Sequence, residues 1–153
     1  MTKQNDQGIS KNEPIRIEQM DIEAMEQWAS STFWGYIGCK LKHADKRSAT
    51  LYLEIEPHHL NVMGILHGGV ISTLIDNCMG IAAMMARPGE KVVTSHLNLH
   101  FLAQAEGSEI WTYANIVHET RKSLTIEAQV KDKDGRRLAM ATGTFRSVGP
   151  LVK

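Results

Sequence analysis

The sequence predicts an α+β fold in which an antiparallel sheet of about six strands wraps around one long central helix. Residues 70–86 are apolar on all sides of a helical wheel, which predicts a helix buried all round. Alternating apolar and polar residues on both sides of this segment indicate strands with one covered face. Turn signals between these strands, of which Asp134-Gly135 is the strongest, indicate hairpins and therefore an antiparallel sheet.

The chain before the helix divides into a tail, a short helix and a hairpin. Residues 1–13 are interpreted as a polar tail and residues 14–153 as a single domain. Apolar side chains recur at helical spacing between Ile22 and Ala29, which predicts a short amphipathic helix. A hairpin follows, with the polar residues 44–47 as its turn. Its two apolar faces are expected to comprise Ile37, Cys39 and Leu41 on one strand, and Ala49, Leu51, Leu53 and Ile55 on the other.

Four strands should follow the helix. Simple alternation along residues 92–102 places Val93, Leu97, Leu99 and Phe101 on one face and Thr94, His96, Asn98 and His100 on the other. Residues 109–118, 123–131 and 136–147 are expected to form the remaining strands. Small side chains on one face of the last strand should let the central helix lie close to the sheet; these are Ala139, Ala141 and Gly143.

Composition excludes several classes of partner. The chain carries 17 Lys and Arg against 17 Asp and Glu, without the basic cluster that phosphate backbones require, so no nucleic acid partner is expected. The start, MTKQNDQG, has no apolar signal region, and no uninterrupted apolar run is long enough to cross a bilayer. We therefore expect a cytoplasmic protein without a membrane partner, in which Cys39 and Cys78 are free, buried thiols.

The histidine pairs do not predict a metal site. His58 and His59 are adjacent and have no third ligand at a suitable spacing, so both are interpreted as solvated loop residues. His96 and His100 would stand about 13 Å apart along an extended strand, which is too far to bind one metal ion. No metal is expected.

The most informative segment is the loop before the helix together with one acid inside it. Residues 61–69 read N-x-x-G-x-x-H-G-G, and their glycines would let another molecule approach the backbone closely. Free N–H groups at a helix start attract negative charge, and Asp76, two turns further along, could activate a water. The segment therefore offers a holder for a carbonyl oxygen and a general base. The alternative is a structural Asp76, hydrogen-bonded to neighbouring backbone or turned toward a subunit boundary.

Residues 61–80 contain, in order, Asn61-x-x-Gly64-x-x-His67-Gly68-Gly69, Leu74-x-Asp76 and Gly80. This pattern resembles the signature of hotdog-fold acyl-CoA thioesterases, in particular the phenylacetate-degradation (PaaI-like) branch, and the likeness covers about residues 35–147. In that family a sheet wraps a long helix, and two subunits build two active sites at their interface. Some relatives have Glu at the position of Asp76. This chain has the shorter acid there, so the main pattern is intact.

The resemblance implies a role for each residue of the motif. Asp76 would be the catalytic carboxylate, the Gly68 N–H would polarise the thioester carbonyl, and Asn61 and His67 would position the thioester. Thr94, on the strand after the helix, corresponds to a polar residue that orients the water. Unbroken alternation would turn Thr94 away from the covered face, so a bulge or a site shared across a dimer is required.

Gly69 of the motif is also expected to contact the substrate. Two further groups of residues could bind the two ends of an acyl-CoA. Arg121 and Lys122 form a basic turn that would hold the phosphates of coenzyme A, or they are a solvated hairpin turn. The aromatic cluster that follows the first helix would form a wall of the acyl pocket, or it is a hydrophobic lid or helix-docking cluster; its members are Phe33, Trp34 and Tyr36.

The expected reaction is hydrolysis of an acyl-CoA thioester to a free acid and coenzyme A, without a metal or redox cofactor. Asp76 would act as a general base or as a nucleophile, and the acyl group could be aryl or aliphatic; the residues leave both questions open. A non-catalytic acyl-CoA sensor and a hotdog hydratase or dehydratase are the alternative functions. The resemblance further implies a homodimer with shared sites, and two dimers could pair into a tetramer.

Overall fold

The computed structural model describes residues 22–151, so the predicted tail and its boundary near residue 14 lie outside the described residues. A 3₁₀ turn at Pro57–His59 precedes the longest helix. The helices and strands follow in the order α1 (Ile22–Ala29), α2 (Phe33–Ile37), β1 (Lys40–Ala44), β2 (Ser48–Glu54), α3 (Gly68–Ala86), β3 (Glu90–Phe101), β4 (Glu109–Glu119), β5 (Ser123–Asp132) and β6 (Arg137–Pro150).

The strands form one six-stranded sheet in the order β1-β2-β4-β5-β6-β3, and every neighbouring pair is antiparallel. Helix α3 packs on the sheet and contacts all six strands. Both β1 and β3 are edge strands, although β3 is twelve residues long. The predicted α+β architecture, with a sheet around one long helix, is confirmed.

The core lies between α3 and the sheet. Leu74, Ile75, Cys78 and Met79 are fully buried on the helix side. On β6, a Cβ added to Gly143 would lie only 2.7 Å from the Met79 sulfur, so the helix can pack this closely only because Gly143 has no side chain. The prediction that small residues on the last strand admit the helix is therefore confirmed at this position.

Helix α3 is not buried all round, and the prediction of complete burial is wrong. A half-buried stripe runs along one side at spacings of three to four residues: Thr73, Asp76, Asn77, Gly80 and Met84. The sheet covers only the opposite side of the helix, which leaves this stripe open within one chain. By length and composition alone α3 could span a bilayer, but a core helix packed against a sheet passes the same test.

Three local expectations also change. Ile37 is the last residue of α2 and does not lie on a strand, because the chain turns at Gly38 with a φ of 79°. Strand β6 extends to Pro150, three residues beyond its predicted end. His59, expected in solvent, is 1% exposed and bonded on both ring nitrogens.

Strand β3 contains the bulge that alternation could not locate. Its register with β6 shifts between Thr94 and His96, so Ser95 is an extra residue. Val93, predicted on the covered face with Leu97, therefore lies on the opposite face and is 38% exposed. The same shift turns Thr94 toward α3.

Candidate active site

Asp76 and Thr94 meet where the open side of α3 passes β3. Thr94 Oγ1 donates a hydrogen bond of 2.8 Å to Asp76 Oδ1. Asp76 is half-buried on the helix, and Thr94 reaches it because of the bulge in the strand. Two of the predicted site residues, eighteen positions apart in sequence, are therefore in direct contact.

A cavity of about 480 Å³ opens beside this pair. Most of its wall is apolar, and it lies between α3, β3 and α2. The residues that line it are Trp34, Asp76, Asn77, Gly80, Ile81, Met84, Val92, Val93, Thr94 and Phe145. The arrangement places one carboxylate and one hydroxyl at the edge of a mainly apolar space, which is typical of a small-molecule site.

Of the three aromatic residues in α2, only Trp34 lines the cavity. Its indole nitrogen is buried and, within residues 22–151, has no hydrogen-bond partner. Phe33 and Tyr36 are 60% and 73% exposed and stack on each other with ring centroids 6.4 Å apart. The cluster is thus divided between a cavity wall and an exposed pair.

The loop before α3 is held in shape by Asn61. Its Oδ1 accepts hydrogen bonds from the N–H groups of Met63 at 2.9 Å and Ile65 at 3.3 Å. Gly64 follows with a φ of 75°, a conformation that favours glycine. Asn61 therefore uses its side-chain oxygen to fold the loop, which the sequence motif did not reveal.

His67 caps the start of α3 and accepts hydrogen bonds from most of the free N–H groups in the first turn of that helix. Its Nδ1 accepts from the Gly69 N–H at 2.8 Å, and its carbonyl accepts from Val70 and Ile71. Within the described part of the chain, the Gly68 N–H has no acceptor. A Cβ on Gly69 would lie 2.9 Å from His67 Nδ1, so a side chain there would disturb the cap.

Gly68 and Asp76 are not brought together within one chain. They lie eight residues apart on the same helix, which separates them by about 12 Å along its axis. A carbonyl held at Gly68 is therefore out of reach of a water held by Asp76 of the same chain.

A second cavity, of about 740 Å³, lies next to the first and shares Val93 with it. Arg121, Lys122 and Arg146 all line this cavity, with Glu90 as its one acid. Among the described residues none of the three cations has an ion-pair partner, although several arginines elsewhere do. Sequence reasoning missed Arg146, because only its pairing with Val93 and Ser123 brings it to the turn.

The two cysteines are free and buried, as expected. Burial raises the pKa of Cys39 to about 11 and that of Cys78 to about 12, so both stay protonated at neutral pH. Neither thiol is therefore an activated nucleophile. In residues 22–151 no group of three metal-binding side chains is placed to hold a metal ion.

Many solved structures have the same fold. The sequence profile of the thioesterase superfamily matches residues 63–139. Mouse acyl-coenzyme A thioesterase 13 is 32% identical over 103 residues, which cover 65% of this chain and 63% of the mouse protein. A Haemophilus influenzae thioesterase has the same fold, with a TM-score of 0.81 and 16% identity over 88% of this chain and 94% of that one. The E. coli PaaI protein from the phenylacetic acid degradation operon gives a TM-score of 0.75 at 16% identity, over 83% and 91%.

The helix wrapped by an antiparallel sheet defines a hotdog-fold protein. The chain belongs to the thioesterase superfamily. Its relatives include proteins named as thioesterases, which supports hydrolase activity as the general class.

Proposed function

We propose that the protein hydrolyses an acyl-CoA thioester, with Asp76 activating the water and the Gly68 N–H holding the thioester carbonyl. The hydrogen bond between Thr94 and Asp76 at the edge of an apolar cavity is the observation that carries this proposal. The bond fixes one carboxylate oxygen and so orients the carboxylate toward a water. The mouse relative named as an acyl-CoA thioesterase supports the substrate class.

In the proposed reaction the water oxygen bonds to the carbonyl carbon while Asp76 takes the proton from that water. Negative charge develops on the carbonyl oxygen, where the Gly68 N–H and the start of α3 stabilise it. The carbon–sulfur bond then breaks, and the leaving thiolate receives the proton from Asp76. The products are the carboxylic acid and free coenzyme A, and the reaction requires no cofactor.

A nucleophilic Asp76 is the alternative route, because a carboxylate can attack the carbonyl and form a mixed anhydride. A single turnover in H₂¹⁸O, followed by mass spectrometry, tests for the nucleophilic route, because label found in Asp76 would identify that route. With a general base the label enters only the product acid. With a nucleophile whose anhydride is opened at the protein carbonyl, label enters Asp76.

The separation of Gly68 from Asp76 supports a site shared between two copies of the chain. About 12 Å along one helix prevents both residues from acting on one carbonyl. The half-buried stripe of α3 and the long edge strand β3 are both open in one chain and could pair with a second copy. We therefore propose a homodimer with two sites, each with Gly68 from one protomer and Asp76 from its partner; two dimers could pair further.

The second cavity supports a coenzyme A thioester over a simple ester. Coenzyme A carries a diphosphate and a 3′-phosphate. Arg121, Lys122 and Arg146 provide three cations beside the proposed site, and none of them has an ion-pair partner among the described residues. The two cavities meet at Val93, so one extended ligand could occupy both.

Buried free thiols agree with a reducing compartment, and we propose a cytoplasmic location.

The test is thiol release from purified protein given benzoyl-, phenylacetyl- and straight-chain acyl-CoA substrates. The apolar cavity wall at Trp34, Ile81 and Met84 fits either an aryl or an aliphatic group, and the ranking of kcat/KM decides between them. Thiol release from at least one substrate is expected. Tight binding without turnover across the whole panel would identify an acyl-CoA sensor and overturn the proposal.

A further inference from the structure

We propose that His59 is a positioning residue whose buried imidazole links two segments. The first is the loop of residues 59–68 that leads into α3 (the Gly68 loop), and the second is the turn of residues 34–39 at the end of α2 (the α2 turn), which includes Trp34. The inference rests on the proposed function, which gives the loop and the turn their roles at the active site. No contact between His59 and the substrate is required, because the residue acts through the two segments that it joins.

Both nitrogens of the His59 ring are used. Nε2 lies 2.8 Å from the Ile37 carbonyl oxygen, which can only accept, so Nε2 donates. Nδ1 lies 2.9 Å from the Glu56 backbone nitrogen, which can only donate, so Nδ1 accepts. These two bonds require the neutral imidazole with its proton on Nε2. The ring is 1% exposed and is therefore almost out of contact with solvent.

The backbone of His59 is hydrogen-bonded to the segment that contains Gly68, the residue proposed to hold the thioester carbonyl. Its carbonyl oxygen accepts a hydrogen bond from the His67 N–H at 2.9 Å, and Leu60 pairs with Leu66 in an isolated β-bridge. His67 in turn caps α3 and leaves the Gly68 N–H without an acceptor among the described residues. A displacement of His59 would therefore move the group proposed to hold the thioester carbonyl.

The side chain of His59 is hydrogen-bonded to the α2 turn through the Ile37 carbonyl. Ile37 ends α2, three residues after Trp34, and the Trp34 carbonyl accepts from the N–H groups of Gly38 and Cys39. The turn is short and fixed at both ends, so anchoring Ile37 also anchors Trp34 at the cavity. In the proposed dimer, the Gly68 loop and Trp34 of one chain serve different sites, so His59 would affect both.

Acidification should weaken the link that His59 forms between the two segments. A proton on Nδ1 would place two N–H groups against each other and break the bond to Glu56. Burial lowers the pKa of His59, and His58, whose ring centroid is 4.0 Å away, lowers it further. The Glu56 carboxylate and the bond to Ile37 act in the opposite direction. Tyr36 of α2 packs on His58, and His67 meets His59 only through its backbone N–H.

The direction of the pH effect follows from the lowered pKa. The unfolded chain binds the proton first, at the usual pKa of 6.5, so the stabilisation by neutral His59 is complete above that pH. The stabilisation decreases as the pH falls below 6.5 toward the folded pKa. The link through His59 should therefore weaken in mildly acidic solution.

Three substitutions separate the two bonds. His59→Asn can keep an acceptor near Nδ1 for Glu56 but loses the donor to Ile37. His59→Gln can keep a donor near Nε2 for Ile37 but loses the acceptor for Glu56. His59→Leu loses both hydrogen bonds and places an apolar side chain in the buried position. The matched control is His43→Gln, because that side chain is 54% exposed and contacts Asp45 at the turn between β1 and β2.

Hydrogen–deuterium exchange and thioester kinetics provide the two measurements. We expect faster exchange in the α2 turn for His59→Asn, in the turn at Glu56 for His59→Gln, and in both for His59→Leu. The folded variants should lose kcat/KM on the order of tenfold or more, as misplaced reacting groups do. The His43→Gln control should match wild type in both measurements.

Unchanged exchange in all folded variants, or faster exchange with unchanged kcat/KM, would overturn the inference. If no variant folds, the test is hydrogen–deuterium exchange of the two turns in the wild-type protein between pH 7.5 and 5.5, corrected for intrinsic rates. Faster opening of the turns at low pH would support the link through His59. Equal opening at both pH values would refute it. A wild-type protein that cleaves no thioester refutes the proposed function, and the exchange data still show whether His59 joins the two segments.

Discussion

The Thr94 hydroxyl donates a 2.8 Å hydrogen bond to Oδ1 of Asp76 and so connects β3 to the open side of α3. The contact depends on the extra residue Ser95, because unbroken alternation would turn Thr94 away from the helix. Among the described residues Asp76 Oδ2 has no hydrogen-bond partner. One oxygen of the carboxylate is therefore oriented by the protein, and the other is available to a water.

Replacing Asp76 with Asn should remove the general base while keeping a similar shape. We expect kcat to fall by roughly 10²-fold or more, the usual loss for a positioned base. Thiol release under saturating substrate measures this directly. The control is Asp134→Asn, since that exposed acid lies in the turn between β5 and β6. Near-wild-type turnover in a folded Asp76→Asn protein would contradict the assignment.

Thr94 should act through its hydroxyl and not through its bulk. Thr94→Val keeps the shape but loses the hydrogen bond, and a bond to a charged group contributes about 1.5–3 kcal/mol. A fall in kcat of about tenfold or more is expected. Thr94→Ser keeps the hydroxyl and should restore most of the rate. Equal rates for the Val and Ser variants would show that the bond to Asp76 does not matter for turnover.

Gly68→Ala tests the carbonyl holder. Gly68 does not have a positive φ, so alanine is compatible with the backbone there, and the added methyl would contact the Phe101 ring at 3.4 Å. We expect lower kcat/KM with an unchanged oligomeric state, because the methyl obstructs the approach of the thioester. Steady-state kinetics and size-exclusion chromatography measure the two properties. Unchanged kinetics would place the oxyanion site elsewhere.

Mixing two inactive variants tests whether the site is shared. Asp76→Asn and Gly68→Trp proteins are unfolded together and refolded at equal concentrations. Half of the dimers should be mixed, and each mixed dimer contains one site with both defects and one with neither, so about a quarter of the wild-type activity should return. No recovery, despite subunit exchange shown by mass spectrometry, would mean that each site is built within one chain.

The cation-lined cavity makes a prediction about the substrate tail. Arg121→Gln, Lys122→Gln and Arg146→Gln should each raise KM for acyl-CoA, and the effect should weaken with added salt. KM for the corresponding acyl-pantetheine should not change, because that thioester lacks the nucleotide phosphates. Lys133→Gln is the control, since its ammonium lies in another turn, 3.7 Å from Asp134. Equal effects on both substrates would refute phosphate binding at this cavity.

The sequence by itself determined the fold class, the long helix and the candidate residues around Asp76. Periodicity suffices for these features, because a helix and a half-covered strand each impose a regular apolar spacing over many residues. It failed where one residue breaks the period, as Ser95 does in β3. It also failed at His59, whose burial depends on the distant carbonyl of Ile37.

Only the tertiary structure decided which residues meet. The register of β6 with its two neighbours brings Arg146 to the turn at Arg121, and no local pattern encodes that pairing. The packing of α3 on the sheet showed that one side of the helix stays open. These relationships depend on contacts between segments distant in sequence, and spacing along the chain cannot specify them.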